Sequence, residues 1–297
     1  MMDGIMMPWL EKIVQQNRGM VESVAPRLAT QYLLRQHRLS VLDLQFQTIY
    51  ANSYALISEK NSTYFQKVMR AMKSYIGAGP IGPNKYWEYP WIMANLKLDT
   101  DMSVLDAGCG TAALQYVLAH AGVRMHGIDP HENVGWHGID RTLAARFGCS
   151  IEYRREGIEN ISYADNTFDR VVCASVIEHC RATPVKNEAV TPQTDADRAL
   201  QRRMMEEMVR VLKPGGLLVL TTDLNIPRSN SLLQSNVNVQ NLLGTPGVKM
   251  VGERCAERFY GEEGFSLEAV VAQGDIDISN YQDALQTSLG ITLQKIA

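Results

Sequence analysis

The sequence predicts an α/β fold, a doubly wound and mostly parallel sheet, from three observations. From Ser103 onward, short β-rich runs alternate with helical patterns, the signature of βαβ units. An Asp stands at the tip of each of the first two runs, and the first is followed at once by a glycine-rich turn that opens a helix. The strands are expected at SVLDAG (103–108), VRMHGID (123–129), SIEYRRE (150–156), FDRVVCAS (168–175) and GLLVLTTD (216–223), with LGITLQKIA as a closing strand. Between the last two parallel runs, Leu200, Met204, Met208 and Val211 line one face of a helix that Thr194 and Asp197 are placed to cap. Lys213 to Gly216 make the turn into the next strand.

Upstream the texture differs. Phe65, Val68, Met69, Met72 and Ile76 recur at threes and fours after Asn61-Ser62-Thr63, so residues 1 to about 76 are expected to be all-helical. The Gly- and Pro-dense stretch Gly77 to Pro83 is the expected connector. The division is therefore a helical N-terminal extension over 1–83, a lid or a dimerisation element, and a main domain over 84–297.

Composition narrows the class. With 297 residues, 45% hydrophobic and 21% charged, the chain has enough apolar content for a sizeable core. Twenty-nine basic against 32 acidic residues give a net charge of −3, and no basic run builds the stripe that a nucleic-acid backbone attracts; nucleic acid is not an expected partner. The five cysteines form no CxxC pair, and Cys109 and Cys173 sit in apolar runs, as reduced buried thiols do. The start, MMDGIMMPWLEK, is a poor signal peptide, and no apolar run approaches the ~20 residues that span a bilayer. The expectation is a cytoplasmic protein without a membrane partner.

The chemistry concentrates at the tips of the first two strands. In VLDAGCGTAAL, Gly108 and Gly110 let the backbone turn tightly and approach a ligand closely, and the helix start that follows offers free N–H groups. The segment also satisfies G-x-G-x-x-A, a dinucleotide-binding pattern. Asp106 separates the two uses: a carboxylate there repels a pyrophosphate and attracts the ammonium of an amino-acid-bearing cofactor. Asp129, closing VRMHGID, can accept hydrogen bonds from both hydroxyls of a ribose, a device that nicotinamide enzymes share. Either Asp can also be an ordinary turn residue.

VLDAGCG, then GID, then NTFDRVVCASVIEH, then VRVLKPGGLLVLTT resembles the successive motifs of the class I S-adenosylmethionine-dependent methyltransferases, nearest to their small-molecule branch. The match runs from Ser103 to Asp223 with four pieces in order. It implies a Rossmann-like, seven-stranded sheet and S-adenosylmethionine as cofactor, with Asp106, Gly108 and Gly110 around the methionine part, Asp129 on the ribose and Pro130 against adenine. Ala174 and Ser175 would place main-chain groups near the methionine part. The family often carries an acidic residue for adenine at the end of the third strand, where this chain has Gly157; Glu156, Glu159 or the Ile158 amide is left to do that reading. Asp169 is expected to set the start of its strand rather than touch ligand.

Methyl transfer from a sulfonium needs alignment above all, worth about 7 to 11 kcal/mol in oriented systems. If the acceptor must lose a proton, His179 at the C-terminal edge of the sheet is the candidate base, against the plainer role of bonding a loop carbonyl. Ubiquinone-pathway O-methyltransferases of the fold that the resemblance implies show E-x-x-E-H here, donors that can hold a divalent ion; this chain reads Ser175-Val176-Ile177-Glu178-His179, and no metal is expected. In KYWEYPW (85–91), Tyr86, with Tyr89 behind it, is the candidate to cover the sulfonium, against plain packing. The loop RATPVKNEAVTPQTD, residues 181–195, is read as part of a substrate lid or as a surface insertion. No [ND]PP[YFW] motif follows the fourth strand. The function these residues imply is methyl transfer to a small or medium-sized metabolite, with an NAD-dependent oxidoreductase and a non-catalytic cofactor-binding scaffold as the alternatives. The helical N-terminus is compatible with a homodimer.

Overall fold

In the computed structural model, the described residues are 26–45, 49–75, 78, 81–111, 113–130, 141–185, 191, 193–226, 237–254, 274–281 and 284–297. The expected leader-free start, Gly77, Gly79 and Pro80 of the connector, and 186–190 and 192 of the late loop lie outside them.

Strands β1 (Tyr50–Tyr54), β2 (Ser103–Ala107), β3 (Arg124–Ile128), β4 (Ile151–Arg154), β5 (Phe168–Ala174), β6 (Leu212–Ile226), β7 (Val248–Met250), β8 (Glu253–Arg254), β9 (Ser279–Tyr281) and β10 (Ala284–Lys295) form one sheet. Its order is β4-β3-β2-β5-β6-β10-β1-β8, with β7 and β9 paired to β10. The run β4 to β6 is parallel throughout, and β10 turns antiparallel to β6. The order steps outward from β2 in both directions, so crossovers lie on both faces and a crevice opens at the carboxyl ends of β2 and β5.

The helices are α1 (Pro26–His37), α2 (Val41–Leu44), α3 (Ile57–Lys60), α4 (Thr63–Lys73), α5 (Lys85–Asn95), α6 (Leu114–Ala121), α7 (Arg141–Phe147), α8 (Asp195–Val211) and α9 (Val239–Leu243). Strand alternation divides the core in two. Val104 and Val172 face the layer holding α4, α5 and α6, whereas Leu105 and Val171 face the layer holding α8. Burial on both faces explains why these parallel strands read as unbroken apolar runs.

Local signals account for the element ends. Ser62 accepts from the Phe65 amide and starts α4, and Thr194 with Asp197 forms a complete capping box on α8. That box is reinforced, because Asp197 also pairs with the buried Arg181 at 3.2 Å and accepts the Ala182 amide at 2.7 Å. Asp169 sets the start of β5 as expected, bonding the Ser103 amide and Lys213 at 2.8 Å each.

Two expectations are corrected. The N-terminal region is not all-helical: Tyr50–Tyr54 is a strand, antiparallel to β10 with Asn52 opposite Ile291. Its polar, buried Asn52 and Ser53 give none of the alternation that marks a strand in sequence. Lys213 to Gly216 are not a separate turn but an irregularity within β6. There Phe168 pairs Leu212 and Arg170 already pairs Leu217, with Gly215 taking up the strain at φ 77°.

Candidate cofactor and acceptor site

The crevice is built at the tip of β2. Gly108 (φ 79°) and Gly110 (φ 49°) both take left-handed conformations, and a Cβ on Gly108 would stand 2.6 Å from both methyls of Val176. The amides of Gly108 and Cys109 both donate to the Ile128 carbonyl, at 2.9 and 3.0 Å, which ties the turn to the tip of β3. Asp129 closes the loop by accepting the Gly110 amide at 3.0 Å. Its own carbonyl accepts from the Tyr153 hydroxyl at 2.9 Å.

Asp106 is buried beneath this turn. One carboxylate oxygen accepts from Gln115 of α6 at 2.5 Å; the other is buried without a partner. Burial pushes its carboxyl up to about 7, and the Asp129 charge adds to the rise. Such an orphaned acceptor in a glycine-lined recess is the complement of a cation that the chain itself does not supply.

A second group of charges lies at the ends of β5 and β6. Lys85, at the start of α5, donates to Glu88 at 2.5 Å and to the Ala174 carbonyl at 3.1 Å. Glu88 also accepts from Ser288 at 2.8 Å and from Thr221 at 3.3 Å. Asp223 meets the same Ser288 hydroxyl at 2.7 Å and accepts from Asn84 at 2.9 Å. Its amide donates to Glu178 at 2.9 Å, whose second oxygen is buried without a partner. Although burial works the other way, the Lys85 ammonium holds the Glu88 carboxyl low. Burial raises Glu178, and burial with the charges of Glu88 and Glu178 pushes Asp223 up to about 7.

The sequence-selected residues fall as follows. Asp106, Gly108, Gly110 and Asp129 converge, and Pro130 follows exposed. Ala174 is engaged by Lys85 through its carbonyl, and Ser175 holds a left-handed φ of 53° with its amide on Thr221, a strained conformation of the kind that functional sites retain. At Gly157 the side-chain space is filled by the Glu159 carboxylate, whereas Glu156 is engaged with the Ser162 amide at 3.2 Å; Ile158 is buried. His179 is exposed on a 3₁₀ turn, Ile177–His179. Tyr86 is partly buried and carries Lys73 over its ring at 4.7 Å. Tyr89 is the nearer of the two to the crevice: burial pushes its hydroxyl up to about 12, with Lys85, Glu88 and Asp106 all acting on it. Trp87 and Trp91 are packing residues, stacked at 5.4 Å.

A family model described as a methyltransferase domain matches residues 105–220, the span that contains the glycine turn, both strand-tip carboxylates and Ala174. This span is similar to a methyltransferase domain. The chain is 33% identical over 122 residues to a protein of Rhizobium etli named ubiquinone biosynthesis O-methyltransferase, covering 41% of each chain. It is 40% identical over 79 residues to one of the same name from Methylocella silvestris, covering 26% of this chain and 30% of that one. The matches thus span less than half the length of either relative. Phosphoethanolamine N-methyltransferase 2 of Haemonchus contortus, solved in complex with S-adenosyl-L-methionine, is 17% identical at a TM-score of 0.46, covering 80% of this chain and 59% of that one.

Outside the methyltransferase motifs, sequence reasoning missed Lys85, Glu88, Asp223 and Ser288. Only Asp223 left a trace: it ends the run LLVLTTD as Asp106 and Asp129 end theirs. Among the described residues no helix is long and apolar enough to cross a membrane, and no group of three or more His, Cys, Asp or Glu is arranged to hold a metal ion.

Proposed function

We propose that the protein transfers a methyl group from S-adenosylmethionine to a small or medium-sized metabolite by in-line displacement. The observation that carries the reading is the unpartnered, buried oxygen of Asp106 beneath the Gly108–Gly110 turn. An α-amino group is the cation that fits it, and the absence of a Cβ at Gly108 lets Val176 pack against the turn. Bound there, the cofactor supplies an activated methyl group on a sulfonium whose departure leaves a neutral thioether.

The chain's own residues do the rest. Asp106 takes the ammonium, and Asp129, steadied by the Gly110 amide, takes the ribose hydroxyls. Pro130 and Ile158 flank the adenine, and Glu159, lying over Gly157, accepts from its amino group in place of the carboxylate that position lacks. Ala174 and Ser175 present main-chain groups to the methionine part. Tyr89 lies behind Lys85 beside that part, a more inward position than that of Tyr86. The N-terminal helices and the loop 181–195 shape the acceptor pocket, and the names of the relatives support an oxygen acceptor. His179 stands at the rim of this edge, where it can take up a proton from solvent-facing groups.

A thermal-shift comparison tests the cofactor. S-adenosylhomocysteine is expected to raise the melting temperature and NADH to leave it unchanged; stabilisation by NADH alone would overturn the proposal. Incubation of enzyme and trideuteromethyl-labelled cofactor with a metabolite extract then identifies the acceptor by mass.

A further inference from the structure

Counting protons in the Lys85–Glu88–Ser288–Asp223 chain gives a result that distances alone do not. The Ser288 oxygen lies 2.8 Å from a Glu88 oxygen and 2.7 Å from an Asp223 oxygen. A hydroxyl has one hydrogen and can donate to only one of the two carboxyls. For both contacts to be hydrogen bonds, the other carboxyl must donate to Ser288. Glu88 is ion-paired with Lys85, so it is the acceptor, and the extra proton belongs to Asp223.

The surroundings hold that proton more firmly than an ordinary carboxyl does, yet leave it exchangeable near neutral pH. Facing Asp223 are Glu88 and Lys85 from α5 and Glu178 from the 3₁₀ turn, two carboxyls and one ammonium. Lys85 bonds the Ala174 carbonyl at the end of β5 as well as Glu88, and its charge acts on both Asp223 and Asp106. In the reading above, Asp106 holds the cofactor's ammonium. The sulfonium is three bonds from the carbon that bears it; with Ala174 presented to the methionine part and its carbonyl bonded to Lys85, it would lie on the side of this chain of groups.

We propose that Asp223 is the proton-exchanging catalytic residue of the site: it gives up its proton when a sulfonium enters beside it, and takes the acceptor's proton as the methyl is transferred. The inference rests on the cofactor assignment proposed above, and it names the acceptor class as one whose nucleophilic atom, hydroxyl or amine, carries a dissociable proton. The balance closes. The acceptor's heteroatom forms its bond to the methyl carbon, the carbon–sulfur pair returns to sulfur, and the proton passes to the Asp223 carboxylate. One positive and one negative charge disappear together, a change that a buried site favours because neither ion needs to stay solvated. Asp223 then stands protonated beside a neutral thioether, the state its environment prefers before the next cofactor binds.

S-adenosylmethionine and S-adenosylhomocysteine carry the same ammonium and carboxylate and differ by the sulfonium charge, which makes the pair a clean probe. Titration calorimetry of the full chain with each ligand, in buffers of different ionisation enthalpy near pH 7, counts the protons released. The expected result is a release larger for S-adenosylmethionine by up to about half a proton per site, with any release from Asp106 common to both ligands. Asp223→Asn should abolish the difference while S-adenosylhomocysteine still binds. Ser288→Ala, which removes the acceptor of the Asp223 proton, should move the difference to lower pH. Equal proton counts for the two ligands, or a difference that survives in Asp223→Asn, would overturn the inference and leave the cofactor assignment standing. Failure of S-adenosylhomocysteine to bind the wild-type chain at all would overturn both.

Discussion

The carboxylate of Glu159 fills the space over Gly157 in which a side chain at that position would begin. A side chain at 157 would displace the exposed Glu159 carboxylate from that place, so one acid stands where another would otherwise be. Glu159→Gln is expected to weaken S-adenosylhomocysteine binding about fivefold to tenfold, as loss of a charge-assisted hydrogen bond does at an exposed position. The analogue with inosine in place of adenosine, which has no amino group to donate, should bind wild type and variant alike. Adding Gly157→Asp to Glu159→Ala should recover most of the loss; failure of that rescue would show that Glu159 does not read the base.

Asp106 gives cofactor binding a pH dependence of definite sign. Its carboxyl titrates at about 7 because of burial, and only the ionised form holds an ammonium well. Affinity for S-adenosylhomocysteine should therefore rise from about pH 6 to about pH 8 and level off beyond. Asp106→Asn should flatten the profile, as measured by calorimetry; an unchanged slope would place the ammonium elsewhere.

The same shifts act on stability with the opposite consequence. Asp106 and Asp223 have folded values of about 7, above the ordinary 3.8, so their contribution is fully present below 3.8 and is lost as pH rises through about 7. The ligand-free protein should melt at a lower temperature at pH 8 than at pH 5, and scanning calorimetry checks the direction. Asp197, held at about 2 by bonds from Thr194, Ala182 and Arg181 against its burial, acts the other way, but only as pH falls below that window.

Asp197 also joins α8 to the loop after β5. Asp197→Ala removes the capping box and leaves the Arg181 guanidinium buried without its carboxylate. A loss of roughly 3 to 5 kcal/mol in denaturant unfolding is expected from an uncompensated buried charge. Thr194→Ala, which removes the hydroxyl cap alone, should cost about 1 kcal/mol.

Gly290 of β10 lies against the Trp91 ring, where a Cβ would stand 2.6 Å from ring carbons. Gly290→Ala should cost about 1 to 3 kcal/mol through overpacking. Trp91→Phe in the same chain should return part of it, and an additive double variant would argue against direct contact.

What the sequence revealed and what it hid divide by range. The capping box at Thr194, the glycine turn and the strand-tip carboxylates are local chemistry and stand where their residues imply. The parallel strands were legible because burial on both faces leaves long apolar runs such as VVCA and LLVL. Tyr50–Tyr54 was not, since its buried Asn52 and Ser53 satisfy no periodicity. Nor was the pairing of Ser288 with Asp223, which lies 65 positions away and exists only through the register of β10 on β6.

That register has a bearing on how the chain is assembled during synthesis. The strand at Tyr50–Tyr54 pairs with β8 at Glu253–Arg254 and with β10 at 289–291, so most of the polypeptide must leave the ribosome before the early segment can dock. Until then the outer edge of β6 stays open, a natural place for a chaperone to bind or for two nascent copies to pair wrongly. Versions shortened at either end should accordingly suffer in yield before they suffer in affinity.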